Sequence, residues 1–379
     1  MKMKRIFVKV FCAVLALATM ATFVSCGKKY DVIYISNEKG EAVDGFNENM
    51  LSFHMSMEKT TTLVSLGSTQ DVPELWNMKV SDYVAMLGME TADSIGNNMT
   101  FGEYYTDYAL KSAKQIVAAS YLYDTMKGTD TVAGKLLAES DKKLEPSVDK
   151  TVSDLQLSIG SKENFEAFIS GLGITLEDFR IYYGMNYKFG ELRKVVDVSE
   201  DEKKDYFEKN YAIVKHILIN TESKTNDAGE KVSLTAEEKN AKLAEVKAAE
   251  ARIAAGEDYE VVFAEYDGTD PGTQYYTEGY FVTDNGKFMP EFQDAALDMK
   301  DGEVRTVYTS YGAHIMKKYP MDPEKYKLYS DIYSEITSVL ANKAFADLIN
   351  PYVDKVTVNS EVTAKYSIAT VPMMDPSAV

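Results

Sequence analysis

The chain of 379 residues is 45% hydrophobic and 26% charged, which is enough to bury an apolar core and to form two or three domains. This composition excludes a fibrous protein and a fully disordered one. Lys and Arg total 41 against 59 Asp and Glu, a formal charge of −18, so a nucleic-acid-binding surface, which needs clustered cations, is not expected. The only two cysteines, Cys12 and Cys26, allow no disulfide framework and no thiolate metal cluster.

The first 26 residues have the pattern of an export signal, with a basic start, an apolar run from Ile6 to Val24, and Ser25 before Cys26. This pattern resembles a bacterial lipoprotein signal, in which Cys26 becomes the lipidated N-terminus, although Phe23 stands where leucine is usual. A transmembrane anchor is the alternative, but Lys9 shortens the apolar run below the ~20 residues that a spanning helix needs. We therefore predict a signal peptide over residues 1–25 and a lipid-anchored, extracytoplasmic protein.

After the signal, the spacing of apolar residues is weakly informative up to residue 75 and becomes helical from about Ser81. Residues 30–75 contain two short apolar runs, Val32–Ile35 and Thr62–Leu66, which indicate a strand or two. From about Ser81 to Met126 the apolar residues recur at spacings of three and four, which predicts helix. Its stripe, interpreted as core-facing, comprises Tyr104, Tyr105, Tyr108, Ala109, Ala113, Ile116, Val117 and Tyr121.

Three capping boxes mark the starts of further helices. A short helix over Glu163–Leu172 is followed by boxes that begin at Thr175, Ser199 and Thr235. The last of these helices should stop at Gly256.

At Tyr211 the apolar period changes from about 3.6 to 2, so Ala212–Ile219 should be a strand with Val214, His216 and Leu218 on one face. A polar loop should follow it up to Ser233. Further elements are predicted at Tyr259–Tyr266, Gly279–Phe281, Phe288–Met299, Arg305–Tyr308 and Ala313–Lys317.

Four short strings in this region resemble a parvulin-type peptidyl-prolyl isomerase domain over residues 212–319. They are Lys215-His216-Ile217-Leu218, Met289-Pro290-Glu291-Phe292, Asp301-Gly302-Glu303-Val304 and Tyr311-Gly312-Ala313-His314. The segments 173–179 and 198–206 resemble the helical chaperone region of exported foldases of the SurA and PrsA type. The resemblance implies an enzyme that twists the X-Pro amide bond without a metal, a cofactor or a nucleophile.

The resemblance also assigns roles to individual residues. His216 and His314 would face each other on adjacent antiparallel strands, and Thr309 would be hydrogen-bonded to that pair. A carboxylate is expected in the loop after Tyr266, where Asp270 is preferred and Asp267 stays open. The proline slot would be lined by Phe292, Phe288 and Met289, the last two competing for one position of the family pattern. Each of these residues can also be explained as ordinary core, turn or scaffold.

Two departures from the family pattern bear on activity and specificity. The glycine-rich run beside the site is replaced by Tyr276-Thr277-Glu278-Gly279-Tyr280, which alters the loop there. The loop from Thr221 to Lys231 has no arginine, so a preference for phosphorylated residues before proline is not expected.

The sequence thus predicts an α+β protein in which a parvulin domain, with a four-stranded antiparallel sheet, is inserted into a mainly helical chaperone domain. The expected parts are a helical region over 26–205, the isomerase over 206–320, and over 321–379 a long helix from Asp322 to Asn350 with a tail that packs on the N-terminal region. The expected partners are unfolded exported polypeptides with X-Pro bonds and a membrane. A non-catalytic holdase is the main alternative, and a solute-binding lipoprotein is less favoured.

The lipoprotein hypothesis predicts that Cys26→Ser releases the protein from the membrane fraction, because the substitution removes the only sulfur at the cleavage site. Cys12→Ser, which lies inside the signal, is the matched control and should leave the protein in that fraction. Sedimentation after a salt wash measures both variants. A Cys26→Ser protein that still sediments with membranes would show that the lipoprotein hypothesis is wrong.

Overall fold

The computed structural model of the chain describes residues 30–86, 98–226, 229–266, 270 and 272–375. The predicted signal peptide, Cys26 and Asp267 lie outside these residues. The helices and strands form two units by their internal contacts: unit 1 takes in the residues up to Tyr121, Glu145–Asn186 and the residues from Val353 on, and unit 2 takes in Leu122–Leu144 and Tyr187–Tyr352.

The first part of the chain is a β-hairpin followed by helices. The hairpin consists of β1 (Ile33–Ser36) and β2 (Ala42–Phe46). The helices that follow are α1 (Glu48–Ser65), α2 (Pro73–Asn77), α3 (Val80–Met86), α4 (Phe101–Met126), α5 (Val132–Asp141), α6 (Leu144–Ile159), α7 (Lys162–Gly171), α8 (Leu176–Lys194) and α9 (Glu200–Asn210).

The second part of the chain alternates strands and helices before it ends in a long helix. Its elements are β3 (Ala212–Ile219), β4 (Ser223–Thr225), β5 (Lys231–Ser233), α10 (Ala236–Ala254), α11 (Tyr259–Glu265), β6 (Tyr280–Val282), α12 (Pro290–Asp298), β7 (Val304–Thr309), β8 (Gly312–Tyr319), α13 (Ser330–Val353), β9 (Thr357–Val358) and α14 (Ser360–Thr363). No helix among the described residues has both the length and the apolar character needed to cross a membrane.

The predicted strand at Thr62–Leu66 is wrong, because most of this run is the last turn of α1. Asn47 starts that helix by accepting a hydrogen bond from the Met50 backbone N–H. The helix then buries ten side chains spread along its length, so packing outweighs the local strand preference of β-branched residues.

The aromatic stripe of α4 is only partly core-facing. Ala109, Ala113 and Val117 are fully buried, whereas Tyr108 is 49% exposed. The helix prediction is confirmed over Phe101–Met126, and the small residues rather than the tyrosines form the innermost row.

Unit 1 is closed by the C-terminal end of the chain. The strand β9 pairs antiparallel with β1, giving a three-stranded sheet in the order β2-β1-β9. The buried ammonium of Lys59 donates to Asp71 Oδ2 at 2.6 Å and to the backbone carbonyls of Ala369 and Val371 at 3.2 and 2.9 Å. The tail therefore satisfies a buried charge that would otherwise be costly.

Unit 2 is built on an antiparallel sheet in the order β6-β3-β8-β7, as the resemblance implies. One face of β3 and β8 packs against α12 and the other against α10 and α11. The capping boxes of Ser199 and Thr235 are present. Each hydroxyl oxygen accepts from the backbone N–H of the glutamate three residues later, Glu202 or Glu238. The carboxylate of that glutamate accepts from the backbone N–H of the capping residue. These caps fix where α9 and α10 begin.

Three features of unit 2 differ from the sequence prediction: one loop, and the start and the end of the last long helix. The polar loop up to Ser233 contains a small hairpin, in which Ser223 pairs with Ser233 and Thr225 with Lys231. The last long helix begins at Ser330 rather than at Asp322, after a short 3-10 turn at Lys325–Lys327. It runs through the expected stop at Asn350, because a proline in the last turn interrupts few backbone hydrogen bonds.

His54 of α1 is a buried histidine that the sequence analysis did not single out. Its Nε2 lies 3.1 Å from the Ala109 carbonyl oxygen, which can only accept, so Nε2 carries the proton and Nδ1 accepts from the Tyr182 hydroxyl at 2.9 Å. Burial lowers the pKa of His54 to about 4, against the opposing effect of the Ala109 carbonyl. Burial also raises the pKa of Glu58, whose carboxylate lies 3.8 Å from His54.

We expect the free energy of unfolding of unit 1 to fall as the pH drops from about 6.5 to about 4. In this window the unfolded chain binds a proton at residue 54 that the folded chain does not bind, a loss on the order of 3 kcal/mol that proton binding by Glu58 in the folded chain partly offsets. Urea denaturation at several pH values measures the free energy of unfolding of unit 1. The signal is the fluorescence of Trp76, the one tryptophan of the chain, which lies in unit 1.

His54→Gln should remove most of this pH dependence. His314→Gln, which changes a histidine of unit 2, is the control and should leave the Trp76 signal with the wild-type dependence. The same pH dependence in wild type and in His54→Gln would contradict the prediction.

Candidate functional site

The register of two central strands brings His216 and His314 together. In the pairing of β3 with β8, His216 lies opposite Met316 and Leu218 lies opposite His314, so the two histidines are diagonal neighbours on the same face. Their Nδ1 atoms are 3.0 Å apart, which makes a direct hydrogen bond. The sequence prediction that the two rings face each other is therefore met by the geometry, and both side chains are 6% exposed.

Thr309 reaches the outer nitrogen of this pair from the end of β7. Its Oγ1 lies 2.8 Å from His314 Nε2 and accepts from the Tyr311 backbone N–H at 3.1 Å. The tight turn to β8 depends on Gly312, which has φ +132° and would place a Cβ 2.3 Å from the Ile219 carbonyl oxygen. A larger residue there would push β8, which holds His314, away from the end of β3, the strand that holds His216.

Asp270 meets the pair from the other side. Its Oδ2 lies 2.8 Å from His216 Nε2, and its Oδ1 accepts from the Gly272 backbone N–H at 3.0 Å. The structure thus brings Asp270, the preferred of the two aspartates, to the histidines. The other candidate, Asp267, lies outside the described residues.

Tyr280 is a member of this site that the sequence analysis missed. Its hydroxyl donates a hydrogen bond to the same Asp270 oxygen that faces His216. The approach requires a glycine at position 272, where a Cβ would lie 1.8 Å from the Tyr280 hydroxyl oxygen. The alternation of side chains along a strand could have indicated this position, because Tyr280 pairs with Val214, which lies on the same face of β3 as His216.

The hydrogen-bond chain has only one arrangement of protons when both rings are neutral. The Asp270 carboxylate can only accept, so His216 Nε2 carries a proton and His216 Nδ1 accepts from His314 Nδ1–H. His314 Nε2 then accepts from the Thr309 hydroxyl, which in turn accepts from the Tyr311 N–H. Every donor is therefore directed toward the carboxylate.

The charges at the site are fixed by these contacts. Burial alone would raise the pKa of the Asp270 carboxyl, but hydrogen bonds from His216, Tyr280 and the Gly272 N–H outweigh it and hold that pKa well below its usual range. Burial and the adjacent carboxylate raise the pKa of Tyr280. Burial and repulsion from His216 lower the pKa of His314 to about 4, so this ring is neutral at pH 7.

The apolar residues expected to line the proline slot form a cluster at the start of α12, next to the histidines. The ring of Phe292, 4% exposed, stands edge-on to His216 and His314, with ring centroids 5.0 and 5.3 Å apart. Phe288 stacks on Phe292 at 5.6 Å, and Met289 packs against the same cluster. The two residues that competed for one position thus both lie at the slot.

The described residues contain no cluster of three or more His, Cys, Asp and Glu side chains that could hold a metal ion. The site offers a cluster of apolar side chains beside a directed row of hydrogen bonds. Such a site suits a reaction in which an amide changes its conformation and no bond is broken.

The contact between Gly272 and Tyr280 predicts a coupled pair of substitutions. Gly272→Ala should push the Tyr280 hydroxyl from Asp270 and lower the local stability of β3 and β8 by about 1.5–3 kcal/mol, the loss typical of a hydrogen bond to a charged group. The same change should cost less in the Tyr280→Phe background, because the nearest clashing atom is gone. Amide hydrogen exchange of β3 and β8, followed by mass spectrometry, measures these changes.

Gly190→Ala is the matched control, since a Cβ at this helical glycine has no neighbour within 4 Å. It should leave the exchange of β3 and β8 unchanged. Fully additive effects of Gly272→Ala and Tyr280→Phe would contradict the proposed contact.

Comparison with known proteins places the site in a family. Residues 194–319 match the model of the PPIC-type PPIase domain. The foldase protein PrsA of Staphylococcus epidermidis is 30% identical over 201 residues, which cover 49% of this chain and 55% of that protein. The foldase protein PrsA of Geobacillus kaustophilus is 25% identical over 272 residues, covering 71% of this chain and 83% of that protein.

The match to the first of these relatives spans about half of its length. A crystal structure of peptidylprolyl isomerase (PrsA) from Bacillus cereus is 21% identical, with a TM-score of 0.30, and covers 68% of this chain and 87% of that one. The match to the family model identifies residues 194–319 as a PPIC-type, or parvulin-type, peptidyl-prolyl isomerase domain, in a chain that is similar to PrsA foldases.

Proposed function

We propose that the protein is a peptidyl-prolyl cis-trans isomerase and chaperone that assists the folding of exported proteins. The observation that carries this proposal is the continuous hydrogen-bond row from Asp270 through His216 and His314 to Thr309, set against the apolar ring of Phe292. The match of residues 194–319 to the PPIC-type domain supports it.

The reaction explains why a site of this kind suffices. The barrier to rotation about a peptide bond is ~18–20 kcal/mol, because the conjugation of the nitrogen is lost in the twisted state. An acceleration of ~10⁵-fold requires a gain of about 7 kcal/mol in the twisted state, within reach of desolvation combined with a few oriented hydrogen bonds. No cofactor is needed for this step.

The residues divide into two roles in this proposal. Phe288, Met289 and Phe292 hold the proline ring and exclude water from its amide. His216, His314, Asp270 and Thr309 form the polar row that is matched to the twisted amide. The neutral state of His314 at pH 7 keeps the row directed, because a charged ring would donate from both nitrogens.

The chaperone activity belongs, in this proposal, to the helical region of residues 26–205 together with the C-terminal residues 321–379, with the isomerase of residues 206–320 inserted between them. The clients are unfolded exported polypeptides that contain X-Pro bonds. Tyrosine supplies contact area together with a polar tip, and the chain has 26 of them, which suits a surface for extended apolar peptides.

The location follows from the N-terminal pattern. We propose lipid anchoring through Cys26 at the extracytoplasmic face of a bacterial membrane, which faces the periplasm if the cell has one. The basic start, the apolar run and the Ser25-Cys26 pair support this anchor.

A holdase without catalysis is the weaker candidate. The altered run from Tyr276 to Tyr280 was the feature in its favour. In the structure, however, Tyr280 of this run donates a hydrogen bond to Asp270. The run that replaces the glycine-rich segment of the family therefore adds a member to the polar row.

Phe292→Ala should lower kcat/KM for proline isomerisation by about tenfold or more, since it admits water to the slot and each tenfold corresponds to about 1.4 kcal/mol. A proline-isomerisation assay on tetrapeptides, with the residue before proline varied, measures it. Suppression of the aggregation of an unfolded client should survive the change, because that activity is assigned to the helical region.

Leu297→Ala is the matched control on the same helix, where the side chain is 36% exposed. It should leave both activities at the wild-type level. A wild-type protein that holds clients but shows no isomerisation above background would require the catalytic roles of His216, Phe292 and His314 to be withdrawn.

A further inference from the structure

The loop of residues 272–279 connects Asp270, at the end of the polar row, with Tyr280, which donates to it, and its Gly272 N–H also donates to Asp270. Its own backbone hydrogen bonds run from the Tyr276 N–H to the Gly272 carbonyl at 3.0 Å and from the Gly279 N–H to the Tyr276 carbonyl at 2.9 Å. The ring of Tyr276 lies 5.0 Å from that of Tyr280, whose hydroxyl donates to Asp270. The position of this loop therefore decides whether Tyr280 reaches the carboxylate that faces His216.

A segment beyond the isomerase domain holds this loop. The Tyr329 hydroxyl oxygen accepts from the Glu278 backbone N–H at 2.9 Å, and the Tyr329 ring packs against Tyr276 and Phe281 at 5.1 and 4.8 Å. The Tyr276 hydroxyl donates to Asp331 at 3.3 Å.

The same segment also holds the loop that follows β6. Glu335 accepts from the Asn285 side-chain amide at 2.6 Å and from the Lys287 ammonium at 2.5 Å. Residues 325–336, which we call the bracing segment, thus contact the chain on both sides of β6. All of these residues belong to unit 2.

We infer that the bracing segment completes the isomerase site and that Tyr329 is a positioning residue for the proposed reaction. The domain match ends at residue 319, so the segment lies outside the part of the chain that the family model describes. Tyr329 acts through Tyr276 and Tyr280 on Asp270 and touches no substrate. This inference rests on the proposed isomerase function.

The route from Tyr329 to His216 consists of few contacts. Loss of the Tyr329 side chain leaves the Glu278 N–H without its protein acceptor and removes one face of the Tyr276 ring. The loop then holds Tyr280 less firmly, and Asp270 loses one of its two side-chain donors. Tyr329 reaches the slot residues only through Tyr280, whose ring lies 5.9 Å from Phe288 and 6.5 Å from Phe292, so binding of the proline ring should change less than the polar row does.

Tyr329→Phe, Tyr329→Ala and the control Tyr333→Phe in the full-length chain test this inference. Tyr333 lies four residues further along, and its hydroxyl bonds Glu200 and Lys203 instead of the loop. We expect kcat to fall about threefold in Tyr329→Phe, which keeps the ring contacts, and about tenfold or more in Tyr329→Ala, with a smaller change in KM than in kcat. Tyr333→Phe should behave as wild type.

A second readout separates positioning from general damage. The chain has only three histidines, so ¹⁵N-histidine labelling gives an NMR spectrum with His54 of unit 1 as the internal reference. In Tyr329→Ala the Nε2–H proton of His216 should exchange faster with water, while the signals of His54 stay unchanged. Tyr329→Phe should lie between wild type and Tyr329→Ala.

The outcomes are distinct. Wild-type kcat and an unchanged His216 proton in Tyr329→Phe and Tyr329→Ala would overturn the inference, as would an equal effect of Tyr333→Phe. If unit 2 of Tyr329→Ala does not fold, which the loss of a dispersed His314 signal would show, Tyr329→Phe alone decides. If the wild type shows no isomerisation, the proposed function fails, and the response of the His216 proton still decides whether Tyr329 positions the site.

Discussion

The seven residue pairs between β3 and β8 are the constraint on which the site depends. Successive side chains of a strand point to opposite faces, so a shift of one residue would turn His314 away from His216 and toward the helices on the other face. The apolar residues that alternate with the histidines prevent such a shift, since Ile217 and Ile315 are buried against α10 and α11. The packing of the core thus sets the distance between two polar rings.

A buried row of polar groups is stable only when each member has a partner. Here the row ends at a carboxylate that accepts and a backbone N–H that donates, so its direction is determined by both ends. The low exposure that strengthens these hydrogen bonds is the same condition that keeps His314 neutral. The edge of the Phe292 ring against both histidines maintains that condition.

Local patterns predicted most of unit 2, and tertiary contacts decided the rest. The period of two in β3 and the caps at Ser199 and Thr235 are signals carried by neighbouring residues, and they are confirmed. The end of α1 was misassigned because burial along the helix overrides the preference of Thr62 and Val64. The strand period places Tyr280 on the face of His216, but its role depends on contacts with Asp270 and Gly272, ten and eight residues earlier, which the period alone does not reveal.

The pairing of β9 with β1 and the bonds from Lys59 to the carbonyls of Ala369 and Val371 have a consequence for the order of folding. A chain that crosses a membrane from its N-terminus presents residues 33–36 long before residues 357–371 arrive. The sheet of unit 1 and the partners of its buried ammonium are therefore complete only when the last segment has emerged. The sheet of unit 2, whose strands all lie between Ala212 and Tyr319, has no such requirement. In a chain that emerges from its N-terminus, the sheet of unit 2 can therefore form first, while the sheet of unit 1 waits for residues 357–371.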